Sequence, residues 1–149
     1  MAFSPSMRRL LHLRESLERQ QELRVAQAAA HLQRARAELG HSQASRRRVL
    51  GHQAGELAAG ASGAELAATD LQRQTELARA QRLQLEVERL RAAHAAACSR
   101  LAERTRDRKT LDTLAQESRA HELREAARRL QSAQDENFLR RKNAASNKQ

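Results

Sequence analysis

Apolar side chains recur every three or four residues along much of the chain. The clearest runs are Val25, Ala28, Leu32, Ala35 and Leu39 in the first half, and Leu83, Val87, Leu90, His94, Ala97 and Leu101 in the second. A mean spacing of about 3.5 residues is typical of a coiled coil. Between Leu17 and Val25 two successive steps of four, through Gln21, predict a stutter that locally unwinds the supercoil.

The residues that interrupt helices are confined to two places. All five glycines lie between Gly40 and Gly63, and the single proline is Pro5. From Ala64 to the last residue there is neither glycine nor proline. Since these residues cost a helix interior about 1 and 3 kcal/mol relative to alanine, the pattern predicts two long helices joined at one hinge.

Capping signals place the ends of the two helices within one domain that covers residues 1–149. Helix 1 is predicted at about 5–59, with Ser4 as its N-cap, and helix 2 at about 63–142, followed by a disordered tail at 143–149. Gly60 suits the end of helix 1, and the sequence from Ser62 to Glu65 forms a capping box. Because helix 1 also has an alternative end near residue 50 and helix 2 an alternative start at residue 69, the hinge is bounded at about 51–69.

A short hinge makes the helices antiparallel neighbours, so that facing residues have numbers adding to about 122. This rule pairs apolar residues that were not used to place the hinge. The predicted pairs are Leu57 with Leu66, Leu50 with Leu71, Leu39 with Leu83, Leu32 with Leu90, Val25 with Ala97, and Leu10 with Leu111. The predicted fold is therefore all-α, an antiparallel coiled-coil hairpin.

The second helix is longer than the first and extends beyond it. Under the same rule residues 122–142 have no partner in the hairpin, which is roughly 20 residues or about 30 Å of helix. Apolar residues still recur there at helical spacing, through Leu123, Ala126, Leu130 and Phe138. An apolar stripe without an internal partner predicts an external one. The alternative is a frayed, disordered tail.

Composition supports a helical, non-globular chain with an uneven charge. Phe3 and Phe138 are the only aromatic residues among 149, and the formal net charge is +10. The region around the hinge is acidic, whereas the densest basic runs lie at residues 46–48 and 140–142. Clustered arginine and lysine bind nucleic acid or an acidic protein, or simply form a solvated helix face. Since no stacking aromatics or recognition motif accompany them, nucleic acid is the less favoured partner.

Motifs for catalysis or cofactor binding are absent from the sequence. It contains no phosphate-binding loop, no C-x-x-C and no H-E-x-x-H, and no two of its six histidines lie three or four residues apart. We therefore expect no enzyme activity, cofactor, metal or small-molecule substrate. The most apolar window, 92–99, is far shorter than the roughly 20 residues of a membrane span, so a cytosolic protein without membrane insertion is predicted.

The C-terminal third carries a family resemblance. The run from Arg104 through Lys109 to Leu114, and then residues 134–141, where an acidic pair precedes Phe138, Leu139 and a basic cluster, resembles the C-terminal helix of type III secretion stalk proteins. These are the YscO (SctO) proteins of bacterial injectisomes and the related flagellar FliJ family. Many flagellar members have tyrosines near the middle of the chain. This chain has no tyrosine, which favours the injectisome branch.

The resemblance implies a non-enzymatic central stalk that inserts into a hexameric export ATPase and links it to the export-gate membrane protein. It also implies a cytoplasmic location, peripheral to the inner-membrane export apparatus, and secretion chaperones as further partners. The residues predicted to face the ATPase are Phe3, Met7, Arg8, Arg9, Leu130, Phe138, Leu139, Arg140 and Arg141. Those predicted to contact the gate or a chaperone are Glu56, Glu65 and Asp70.

Two other functions fit the residues without the resemblance. One is a structural coiled-coil adaptor or homodimer with no link to an ATPase. The other is a basic rod that binds nucleic acid without sequence specificity, a contact that should weaken steeply as salt rises.

Overall fold

The computed structural model describes residues 5–146, and it contains two long helices that pack against each other as a hairpin. Helix α1 is Pro5–Ala59 (55 residues) and helix α2 is Gly63–Ser146 (84 residues). The predicted all-α hairpin with a longer second helix is confirmed. The expected disordered tail is wrong for residues 143–146, which continue α2. Residues 143–146 are asparagine, two alanines and serine, with neither glycine nor proline, so nothing in the sequence ends the helix there.

The turn between the helices occupies residues 60–62 and is closed by backbone hydrogen bonds. Gly60 has a φ of 76°, the left-handed conformation that glycine adopts without a steric penalty. Its N–H donates to the carbonyl of Leu57 at 3.4 Å, and the N–H of Ala61 donates to the carbonyl of Glu56 at 3.0 Å. These two bonds are those of a Schellman motif, so α1 ends by satisfying its own last carbonyls.

The first turn of α2 is held by the capping box. The N–H of Ser62 donates to Oε2 of Glu65 at 2.8 Å, and the N–H of Glu65 donates to the hydroxyl of Ser62 at 3.4 Å. The alternative helix boundaries do not occur, because Gly51 and Gly55 lie inside α1 and Thr69 lies inside α2. The hinge is therefore much shorter than the interval 51–69.

The helices contribute to two compact units. Unit 2 is Gln20–Ala102, and unit 1 combines the chain through Arg19 with the chain from Glu103 onward. Both helices pass through both units, and the assignment of the chain to a single domain stays a prediction.

Unit 2 holds the main apolar core. Leu32, Ala35 and Val87 form its buried centre, and Leu39 and Leu90 pack against it. Most buried and half-buried positions follow one another in steps of three and four along both helices, and we call the positions of this series the interface positions. In unit 2 they are Gln21, Val25, Ala28, Leu32, Ala35, Leu39, Ser42, Arg46, Val49, Gln53 and Glu56 of α1, and Leu66, Thr69, Arg73, Glu76, Ala80, Leu83, Val87, Leu90, His94, Ala97 and Leu101 of α2.

The predicted leucine pairs nearest the turn are wrong. Leu50, Leu57 and Leu71 are exposed, whereas Val49, Glu56 and Thr69 take the interface positions at this level. One residue turns an α-helix by about 100°, so a leucine directly after an interface position points away from the partner helix. The spacing of three and four residues between interface positions therefore continues through polar residues, and it does not shift to the neighbouring leucines.

The interface positions of unit 1 are more polar. They are Met7, Leu11, Arg14 and Glu18 of α1, and Arg104, Arg108, Leu111, Ala115, Ser118, Glu122 and Glu125 of α2. The predicted facing of Leu10 and Leu111 is wrong, because Leu10 is exposed and Leu11 takes the interface position. A series with steps of three and four continues through Glu18 and Gln21, but Leu17 beside it is half-buried as well, so the predicted stutter stays a prediction.

Candidate functional site

The last part of α2 has no covering helix. Every residue of the segment 126–146, which we call the C-terminal segment, is exposed, although the segment is helical throughout. Its large apolar side chains are open to solvent: Leu130 is 63% exposed, Phe138 67% and Leu139 55%. The predicted unpartnered stretch is therefore present, but it begins a turn later than expected, because Glu122 and Glu125 are still half-buried.

The C-terminal segment combines these apolar residues with basic charge. It contains five basic and two acidic residues. Arg140 lies 3.9 Å from a carboxylate oxygen of Glu136, an exposed pair of the kind that contributes little to stability. Within the described chain Arg141 and Lys142 have no ion-pair partner. The segment therefore offers apolar contacts and free cations to another molecule.

The predicted N-terminal contributors lie on the first turns of α1, in the same unit. Met7 is half-buried at an interface position, so its side chain is partly used inside the hairpin, whereas Arg8 and Arg9 are exposed. Phe3 lies outside the described residues. The described members of the predicted ATPase-facing set thus all belong to unit 1, in the first turns of α1 and in the C-terminal segment.

A polar cluster fixes how α1 and α2 are aligned within unit 1. The hydroxyl of Thr105 donates to Oε1 of Glu18 at 2.7 Å, and Nε of Arg108 donates to Oε2 of the same carboxylate. Nearby, Nη1 of Arg14 lies 3.2 Å from Oδ2 of Asp107. Because charged partners match at one alignment only, this cluster sets where α1 stops covering α2.

The carboxyl of Glu18 responds to this environment. The hydrogen bond from Thr105 lowers its pKa most, and the hydrogen bond and charge of Arg108 and the charge of Lys109 lower it further, against an opposing effect of burial. Glu18 is therefore an anion near neutral pH, as a partner of Arg108 should be.

The acidic residues predicted to contact a gate or chaperone lie beside the turn in unit 2, and each has an internal partner. Glu56 accepts a hydrogen bond from the hydroxyl of Thr69 at 2.7 Å, which joins α1 to α2. Asp70 accepts from Nε of Arg73 at 3.0 Å. Glu65 belongs to the capping box, and the backbone N–H of Ser62 lowers its pKa. Glu56 and Glu65 help to hold the turn, whereas Asp70 pairs within α2. Contact of the three residues with a partner protein stays a prediction.

Sequence reasoning missed two other exposed leucines of unit 1. Leu13 and Leu114 are about half exposed, and each directly precedes an interface residue, Arg14 or Ala115. The sequence does contain a signal for these two leucines, because a leucine next to an interface position lies at the edge of the contact between the helices. They extend the apolar surface of this unit beyond the C-terminal segment.

The described residues contain neither a group of three or more His, Cys, Asp and Glu side chains that could hold a metal nor a helix apolar enough over its length to cross a membrane. The described chain is instead a pair of helices with an exposed extension. These features define a class of protein, a helical hairpin whose longer helix carries exposed apolar side chains.

Comparison with known families gives this class a name. The family model described as "Flagellar FliJ protein" matches residues 3–147, and the chain belongs to this family. The family is one of structural stalk proteins rather than enzymes, and it is associated with an export ATPase and an export gate. Neither the curated proteins nor the solved structures contain a match to the chain.

Proposed function

We propose that this protein is the central stalk of a type III export apparatus and inserts into its hexameric ATPase through unit 1. The observation that carries the proposal is the C-terminal segment, a helix with exposed apolar residues and no covering helix. A single helix is narrow enough, at about 10–12 Å with its side chains, to enter the pore of a ring-shaped assembly.

Charge supports the same assignment. The free cations of Arg141 and Lys142, together with Arg140, would be attracted by an acidic lining of the pore, and such attraction acts mainly on the rate of association. Phe138 and Leu139 directly precede this cluster. The arrangement therefore gives a hydrophobic anchor beside a group that steers it.

The finer assignments belong to the same proposal. The absence of tyrosine favours an injectisome protein of the YscO (SctO) branch, working in the cytoplasm beside the inner-membrane apparatus. The surface next to the turn, with Glu56, Glu65 and Asp70, would contact the export gate or a secretion chaperone. Because Glu56 and Glu65 also hold the turn and Asp70 pairs with Arg73, we expect any such contact to use the backbone and the exposed Leu57 as well.

The test measures binding of the full chain to the cognate hexameric export ATPase. Burying Phe138 at an interface contributes about 1.5–3 kcal/mol. Phe138→Ala should therefore weaken binding by about ten- to a hundredfold. Truncation after Glu125 should abolish most of the binding while leaving the interface positions in place.

The matched control is Leu85→Ala, which removes a similarly exposed apolar side chain from unit 2. Circular dichroism should show the helix content of all full-length variants unchanged. If Phe138→Ala and the truncated protein bind the ATPase as tightly as the unaltered chain, the proposal is wrong. If Leu85→Ala weakens binding as much as Phe138→Ala does, the C-terminal segment is not the contact.

A further inference from the structure

A groove on α1 in unit 2 lies apart from the surfaces described above. It is open to solvent, has a volume of about 260 Å³, and is lined by Gln43, Arg46, Arg47 and Leu50. Pockets that enclose small ligands usually measure about 300–1,000 Å³. A groove of this size, on the surface of one helix, suits one or two side chains of a docking protein rather than a small molecule.

The groove is strongly basic, and its cations are unpaired. Residues 40–50 include three arginines and no acidic residue. Neither Arg46 nor Arg47 has a hydrogen-bond or ion-pair partner in the described part of the chain. Arg46 is half-buried at an interface position, and leaving a partly desolvated charge without a counter-ion is unfavourable. An external carboxylate would remove that cost.

The carboxylate of Glu76, on the part of α2 that pairs with this stretch, does not supply the missing partner. One of its oxygens, Oε2, is buried and has no hydrogen-bond partner among the described residues. The arginines of the groove therefore keep their charge available to a second molecule.

An apolar row continues from the groove along α1. Leu50 and Leu57 are seven residues apart, two helical turns, and are 42% and 62% exposed. Each follows an interface position, so the row runs along the edge of the contact between α1 and α2. A helix that places an apolar residue every two turns can lie along such a row.

Two glycines beside the groove have no explanation inside the chain. Gly40 and Gly51 are helical, and a Cβ added to either would meet nothing within 4 Å. Each costs the helix about 1 kcal/mol relative to alanine. Gly40 lies three residues before Gln43 and Gly51 lies four residues after Arg47, so each neighbours one lining residue of the groove on the helix surface. Their lack of a side chain would let another backbone approach closely.

We propose that this surface of α1, from Gly40 to Leu57, binds an acidic amphipathic helix of a partner protein. Carboxylates of that helix would pair with Arg46 and Arg47, and its apolar face would cover Leu50 and Leu57. The two leucines favour a protein over nucleic acid, because residues 40–57 contain no phenylalanine, tyrosine or tryptophan to stack on bases. This surface goes beyond the proposed function, since it shares no residue with the ATPase-facing set and its groove shares none with the surface next to the turn. Only its far end, at Glu56 and Leu57, belongs to both.

The experiment uses the full chain and a fluorescein-labelled synthetic peptide of about three heptads, with leucine on one face and glutamate on both flanks. Fluorescence anisotropy at physiological salt measures its binding. Arg46→Gln/Arg47→Gln and Leu50→Gln should each lower the affinity at least about tenfold. Gly40→Leu, which changes no charge, should also lower it by blocking close approach.

Matched controls separate this surface from general charge attraction. Arg34→Gln/Arg100→Gln removes two exposed arginines elsewhere in unit 2, and Leu85→Gln removes an exposed leucine. Both should bind the peptide within about twofold of the unaltered chain. A shuffled peptide of the same composition should bind more weakly, and circular dichroism should show that each variant keeps its helices.

Three results would overturn the proposal. The first is equal affinity of the chain for the ordered and shuffled peptides. The second is an equal loss of peptide affinity in the groove variants and the control variants. Either result would indicate attraction of the chain to any anion. The third is competition by duplex DNA: DNA displaces the peptide from the unaltered chain, and the groove variants, but not the control variants, bind DNA more weakly. That result would assign the surface to nucleic acid. Because the groove variants retain the C-terminal segment, they should bind the export ATPase normally.

Discussion

Replacing Glu18 by glutamine tests the polar cluster of unit 1. The side chain of Glu18 is only 12% exposed, and it accepts hydrogen bonds from Thr105 and from the charged Arg108. A hydrogen bond to a charged group contributes about 1.5–3 kcal/mol, against about 0.5–1.5 kcal/mol for a neutral one. Glu18→Gln keeps the shape and removes the charge, so it should reduce the free energy of unfolding by about 1–2 kcal/mol at pH 7.

The effect should depend on pH in a defined direction. Because the pKa of Glu18 is lower in the folded protein, its contribution is complete above the unfolded pKa, near 4.3, and is lost as the pH falls through the folded pKa. The difference between the unaltered chain and Glu18→Gln should therefore shrink in acid. Urea unfolding followed by circular dichroism at several pH values measures it.

Two further variants make this test specific. Arg108→Gln combined with Glu18→Gln completes a double-mutant cycle, and we expect the two changes to cost less together than separately. Glu22→Gln removes an exposed carboxylate from the same helix and should have little effect. A difference below about 0.3 kcal/mol between Glu18→Gln and the unaltered chain at pH 7 would refute the reasoning.

Two predictions concern the turn and the core. Gly60→Ala should destabilise the hairpin by about 1–2 kcal/mol in urea unfolding, since φ is 76° in the turn. Gly51→Ala, in the interior of α1, should instead stabilise it by up to about 1 kcal/mol, and equal effects of the two would contradict the assigned turn. Val87→Ala should cost about 1.5–3 kcal/mol because Val87 is 3% exposed, and the exposed Leu85→Ala should cost under about 0.5 kcal/mol. A similar shift of the urea midpoint in both variants would argue against the core at Val87.

The hairpin could be predicted from sequence because its signals are local. The end of α1 depends on Gly60 and the start of α2 on the capping box, and each acts within a few residues. The structure contains the hydrogen bonds of both, the Schellman motif at Gly60 and the bond between Ser62 and Glu65. The core around Leu32 and Val87 was also predictable, since both helices have apolar residues at matching interface positions there.

The polar interface positions could not be predicted in the same way. Hydropathy does not distinguish Glu18 or Ser42 from exposed residues of the same type, yet both lie between the helices. The burial of Glu18 depends on a distant partner, because its carboxylate accepts a hydrogen bond from Thr105 of the other helix at 2.7 Å. The spacing of apolar residues did place Gln21 in the contact, but it could not show that Gln21 donates to the backbone carbonyl of Ala97 at 3.0 Å. Since such partners are known only once the alignment is fixed, sequence reasoning placed the contact on the nearest leucines instead.

The candidate site was predictable in outline. Counting residues across the hairpin found the unpartnered extension of α2, because helix length is proportional to residue number. It could not show that Met7 is half-buried, or that Glu56, Glu65 and Asp70 are occupied by Thr69, Ser62 and Arg73. Those facts depend on side-chain geometry, in unit 1 for Met7 and beside the turn for the three carboxylates.

The closed turn at residues 60–62 has a consequence for the order of folding. Contacts next to it, such as Glu56 with Thr69, join residues only 13 apart, whereas Glu18 and Thr105 are 87 apart. Closing a long loop in one step costs more entropy than extending a hairpin that is already paired up to the preceding turn of helix. We therefore expect the helices to zip together from Gly60 outward, so that the polar pairing around Glu18 forms late in folding and is the first to open.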